Sequence, residues 1–127
     1  MDMGPSALRG AGLQARIKQL GDQVEDIGNL EVKQPEEMQI GEKRAKYLQE
    51  IAETCKDLAT NVEKSLGEGF LPLVLGGDHS IAAGVAAGVS AFFRKDKKQI
   101  GYLWLDAHGD MNTPDSSPSS WATARPN

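Results

Sequence analysis

One cysteine, Cys55, excludes an internal disulfide, and it sits inside a helical pattern where a free thiol behaves as a small apolar residue. No block of Lys or Arg is present among the 14 basic and 18 acidic residues. The net charge of -4 therefore leaves no electrostatic footprint for nucleic acid. Long hydrophobic runs are missing too. The most apolar stretch, Ile81 to Phe93, is too short to cross a bilayer, and its richness in Ala and Gly suits a buried helix lying close against a sheet. The opening Met1-Asp-Met-Gly-Pro5 lacks the basic and apolar regions of a secretory signal, which makes the cytoplasm the expected location. What remains is a chain of ordinary globular composition, long enough for a single domain or part of one.

Periodicity predicts a helix from Gly4-Pro5-Ser6, with Leu13, Ile17 and Leu20 at helical spacing and Gly21 as its stop. Gln23 to Ile27 reads as a short strand ended by Gly28-Asn29, and Glu31 to Ile40 as loop. From Glu42 to Leu66, apolar positions including Tyr47, Ile51, Cys55, Leu58 and Val62 recur every three or four residues, predicting a long amphipathic helix. Gly67 and Gly69 close it, with Gly67 suited to a left-handed cap.

Phe70 to Leu75 and Ile100 to Leu105 read as strands separated by one helix, a β-α-β unit. Strands joined in this way run parallel, so Gly76 to Ser80 and Asp106 to Asp110 leave the same, carboxyl, edge of the sheet, where open α/β sheets place ligands. Asp106, His108 and Asp110 alternate with the small residues Ala107 and Gly109. In extended geometry the three side chains point the same way and can converge on a cation. With His79 from the other turn, this set of carboxylates and imidazoles suits a borderline divalent metal better than a structural zinc. Asp106 has two oxygens and could bridge a pair of ions whose charge makes a shared water acidic enough for hydrolysis. Asp78 alone is most simply a helix N-cap. Gly76-Gly77 ahead of a helix also fits a phosphate-cradling turn, but no Gly-rich fingerprint or Walker lysine accompanies it, and Asp106, His108 and Asp110 would go unexplained.

Gly76-Gly-Asp-His-Ser80 and Asp106-Ala-His-Gly-Asp-Met-Asn-Thr-Pro114 resemble two signature motifs of the arginase family of ureohydrolases, and Met3-Gly-Pro-Ser-Ala-Leu8 resembles an early segment of that family. The resemblance runs from Asp2 to about Ser119. It implies a three-layer α/β/α fold around a mostly parallel sheet, two Mn²⁺ ions, a homotrimer or hexamer, and hydrolysis of the L-arginine guanidinium group to L-ornithine and urea by a manganese-bridging hydroxide. On matching motifs, His79 and Asp110 would bind one manganese, His108 the other, and Asp106 both. Asp110 would also orient the hydroxide, Asn112, Ser117 and Ser119 would grip the amino-acid end of the substrate, and Asp78 would support the ligands from behind.

The chain departs from the family pattern at both ends. After the loop it reads Ser119-Ser-Trp-Ala-Thr-Ala-Arg-Pro-Asn127, without the asparagine, histidine and later Asp-x-Asp of the family, and it begins after the family's first strand. The resemblance thus implies one incomplete arginase-like domain over residues 1–127, with 120–127 as a tail outside the pattern, and a frameshift or misplaced gene boundary near Ser119. Exposed strand edges and too few carboxylates predict a marginally folded chain with poor manganese affinity. The alternative function is a catalytically inactive arginase-like fragment that binds metal weakly or associates with full-length subunits.

Overall fold

The computed structural model describes residues 3–32 and 47–111. They form four helices: α1 (Met3–Gly10), α2 (Leu13–Gln19), α3 (Leu48–Gly67) and α4 (Ile81–Arg94). The expected Glu31–Ile40 loop and the first residues of the helix expected from Glu42 lie largely outside the described residues.

The single helix expected from Gly4 to Leu20 is two. Gly12 adopts φ 82°, in the left-handed region that costs glycine little, and this breaks the run between α1 and α2. The Ala11 N–H still closes a turn on the Ala7 carbonyl at 2.8 Å before the chain redirects. Gly21, at φ 99°, ends α2 as its sequence position suggests.

Residues 23–27 form no strand. Arg9 draws this segment into an irregular loop instead, donating to Asp26 through Nε (2.6 Å) and Nη2 (3.0 Å), to Asn29 Oδ1 (2.5 Å) and to the Gly28 carbonyl (3.1 Å). A forked guanidinium that satisfies side chains and a backbone carbonyl together outcompetes the weak strand preference of a short segment that has no neighbouring strand among the described residues.

α3 follows its periodicity closely, burying Leu58 and Val62. Its end is a Schellman motif: the Phe70 N–H donates to the Ser65 carbonyl (2.9 Å) and the Gly69 N–H to the Leu66 carbonyl (3.1 Å). Gly69, at φ 84°, supplies the left-handed residue; Gly67, expected in that role, is the last helical residue.

α4 packs on α3, and no strand lies against it among the described residues. Its glycines Gly84 and Gly88 are buried one turn apart and bring the two backbones into contact: a Cβ on Gly84 would lie 2.9 Å from the Cys55 carbonyl oxygen, and one on Gly88 2.5 Å from that of Ala59. Cys55 stands half-buried at this seam, its Sγ 3.4 Å from the Ser80 carbonyl. Lys95 and Glu63 pair at 2.6 Å beyond the far end of α4. No described helix is long and apolar enough to cross a membrane.

The three-layer α/β/α arrangement is not present among the described residues, none of which is in a strand. Residues 70–75 and 100–105 lie where strands were expected, yet no backbone hydrogen bond among the described residues joins them. Strands are defined by backbone hydrogen bonds to neighbours about 4.8 Å away, and among the described residues these two segments share none. Both still alternate in exposure as extended chain does. Leu71 and Leu73 face outward while Pro72 and Val74 are half-buried, and Leu103 and Leu105 are far more exposed than Trp104. The consequence drawn from the β-α-β reading survives: the turns following the two segments meet.

Candidate metal centre

The Gly76–Ser80 turn brings His79 to the start of α4. Its backbone is fixed by Asp78, whose Oδ1 accepts from the Ser80 N–H at 2.8 Å and from the Ser80 hydroxyl. The helix N-cap residue is Ser80, so Asp78 organises the turn from two residues before the capping position. Gly4, at the start of α1, abuts the same turn, and a Cβ there would touch the Gly76 carbonyl at 3.5 Å. The turn also lines a shallow open hollow of about 390 Å³ with Gly76, Gly77, Asp78, His79, Ile81 and Ala82. Neither Asp106 nor Asp110 lines it, so of the group His79, Asp106 and Asp110 only His79 borders this hollow.

The second turn is shaped by its own carboxylates. The His108 N–H donates to Asp106 Oδ1 at 2.8 Å, closing an Asx turn. Asp110 sits at φ 48°, a left-handed conformation that aspartate tolerates better than most residues. The convergence expected from an extended Asp-x-His-x-Asp is therefore achieved by two local reversals, and it is partial. His79, Asp106 and Asp110 each offer a ligand atom within 4.8 Å of the others. His108 is turned aside, its Nδ1 3.2 Å from Asp106 Oδ1.

Within the triad, His79 Nε2 lies 2.9 Å from Asp110 Oδ2, and His79 Nδ1 lies 3.7 Å from Asp106 Oδ2. A separation of about 3 Å is that of two adjacent ligands, each about 2.1 Å from one octahedral ion. The two oxygens of Asp106 serve different imidazoles, Oδ2 facing His79 and Oδ1 facing His108. The His108 backbone N–H holds the Asp106 carboxyl below the usual carboxylate range, against desolvation, the next largest effect; the His108 ring and the electrostatic influence of both histidines act in the same direction as the N–H. An ionised carboxylate, ready to bind a cation, follows from that arrangement. One imidazole and two carboxylates are a donor set suited to a manganese-like divalent ion.

Asn112, Ser117 and Ser119, expected to grip a substrate, lie outside the described residues. One residue touching the triad was not singled out from the sequence. Trp104 donates its indole N–H to Asp110 Oδ2 at 2.9 Å and meets the His79 ring edge-on, with centroids 5.0 Å apart. Two clues could have found it. Trp104 lies two residues before Asp106, so an extended chain puts both on one face, and an indole N–H in an apolar segment needs an acceptor.

Comparison with known proteins spans both turns. The arginase family model matches residues 1–126. The arginase of Bacillus caldovelox is 43% identical over 120 residues, covering 94% of this chain and 39% of that protein. The arginase of Brevibacillus brevis is 47% identical over 119 residues, covering 94% and 38%. The crystal structure of Bacillus caldovelox arginase at pH 5.6 superposes with a TM-score of 0.82 at 44% identity, over 93% of this chain and 38% of the other. That of Bacillus cereus arginase gives 0.79, also at 44% identity, over 93% and 37%. At such identity the α/β arginase fold is shared, although this chain spans under two-fifths of the length of these relatives. Matched along nearly all of its own length by sequence and by structure, the chain belongs to the arginase family.

Proposed function

We propose that the two turns form part of a manganese centre of the arginase type, serving hydrolysis of the L-arginine guanidinium group to urea and L-ornithine. His79 and Asp110 would hold one ion, His108 a second, and Asp106 both. Such cations, when bound, supply a water acidic enough to attack at neutral pH. The observation that carries this reading is the gathering of His79, Asp106 and Asp110 from two separate turns into one group within 4.8 Å. Asp106 supports it further, since a carboxylate that sends one oxygen to each histidine is disposed as a shared ligand must be.

The residues of the chain would then divide the remaining work. Asp110 accepts a hydrogen bond from the attacking water and fixes its direction toward the guanidinium carbon. Asn112, Ser117 and Ser119 hold the amino-acid end of the substrate. We place the activity in arginine metabolism, in a single arginase-like domain of a cytoplasmic homo-oligomer.

A second reading is a metal-binding but inactive member of the family that associates with full-length subunits. It is favoured by the side chains of His79 and His108, which are 53% and 56% exposed, where an enclosed active site would shield them. Urea release from L-arginine by the purified chain with added Mn²⁺, beside His108→Ala, separates the two. The enzyme reading expects urea from the parent and a large loss in the variant. Manganese binding without urea from either protein would select the second reading.

A further inference from the structure

We infer that Trp104 is a positioning residue for the ion-binding pair His79 and Asp110, an inference that rests on the metal reading above. The indole is fixed at both ends of its contact. Its N–H takes one lone pair of Asp110 Oδ2 at 2.9 Å, leaving the others for a cation, and its ring meets His79 edge-on at 85°. The oxygen that Trp104 holds is the one 2.9 Å from His79 Nε2, so a single side chain sets the separation and angle between an imidazole and a carboxylate from different turns. Tyr102 backs the indole from two residues earlier, with centroids 5.7 Å apart and planes tilted by 30°. The flanking leucines point the other way: Leu103 is 84% and Leu105 88% exposed, against 39% for Trp104. An apolar role would have left the N–H unsatisfied or in water; here it is spent on a carboxylate that faces a potential ligand partner.

A group that hydrogen-bonds a metal ligand fixes the ligand's orientation, and its loss typically weakens metal binding about 10- to 100-fold. Trp104→Phe keeps an aromatic edge beside His79 and removes only the N–H. In calorimetric titration with Mn²⁺ the parent should bind and Trp104→Phe should bind about 10- to 100-fold more weakly. Leu103→Ala, on the opposite face, should match the parent. A merely structural role would instead lower the thermal midpoint of the metal-free chain, which Trp104→Phe should leave in place.

The chain has two tryptophans, so Trp121→Phe makes Trp104 the sole indole emitter, and bound paramagnetic Mn²⁺ should quench it in step with the calorimetric isotherm. Equal affinity of parent and Trp104→Phe, or binding that leaves Trp104 emission unchanged, overturns the inference while leaving the metal reading intact. A parent that fails to bind Mn²⁺ overturns the metal reading first, and the inference with it.

Discussion

The α3–α4 helix pair and the two segments that lead to the candidate ligands both carry large apolar side chains, yet these end in opposite environments. Leu58 and Val62 of α3 are 6% and 2% exposed, whereas Leu71 and Leu105 are 92% and 88% exposed. The difference lies in where each element finds its hydrogen bonds. A helix satisfies its backbone internally and needs only one apolar face covered, which Gly84 and Gly88 of α4 provide by close approach. A strand satisfies its backbone only through neighbours, and among the described residues the 70–75 and 100–105 segments have none. Ligand placement survives because it depends on the turns that follow, each closed by its own aspartate: Asp78 on Ser80, and Asp106 on His108.

The largest expected effect breaks the ordered side of that comparison. Gly88→Val puts a branched side chain where even a lone Cβ would lie 2.5 Å from the Ala59 carbonyl oxygen and 2.8 Å from Val62 Cβ. Neither backbone can yield without separating the helices, so a loss of about 3 kcal/mol is expected by urea unfolding. A midpoint equal to that of the parent would mean that α3 and α4 do not touch through their glycines.

A paired substitution sharpens the contrast. Leu58→Ala removes a side chain that is 6% exposed and should cost about 2–3 kcal/mol, while Leu103→Ala at 84% exposure should stay within about 0.5 kcal/mol. Equal losses would show that the outward leucines are covered in solution, for example by association of chains through exposed edges.

The smallest effect concerns the loop held by Arg9. The Arg9 guanidinium beside Asp26 holds its carboxyl below the usual carboxylate range, helped by the Gly28 N–H at 2.9 Å. Because the folded value is depressed, the stabilisation is complete above the unfolded value of about 3.9 and fades as pH falls through the lower folded value. Exchange of the Gly28 amide, after correction for intrinsic pH dependence, should therefore lose protection only below about pH 4. Arg9→Ala should remove that protection at neutral pH as well. Protection unaffected by Arg9→Ala would leave the clamp without a role.

These contrasts also mark what the sequence could disclose. α3 and α4 were legible because a repeat of 3.6 residues is a local signal and each helix needs only a matching face. The two motifs were legible as a site because their residue types are rare together at strand ends. Less visible were features set by partners distant in sequence. The Arg9–Asp26 clamp spans 17 residues and overrode a weak strand pattern. The break at Gly12 depended on which of several glycines would take a positive φ. His108 stands outside the group of His79, Asp106 and Asp110 because the Asx turn bends a segment whose alternating pattern implies extended chain, and Trp104 joins that group because an indole N–H needs an acceptor.

The central claim is that His79, Asp106 and Asp110 share one cation, and electron paramagnetic resonance of added Mn²⁺ tests it most directly. The account predicts that the six-line signal of aqueous manganese diminishes on addition of a His108→Ala chain, that the bound ion shows coupling to an imidazole nitrogen, and that a further His79→Ala substitution abolishes this coupling. An aqueous signal unchanged by the His108→Ala chain, or bound manganese whose nitrogen coupling persists in the double variant, would contradict it.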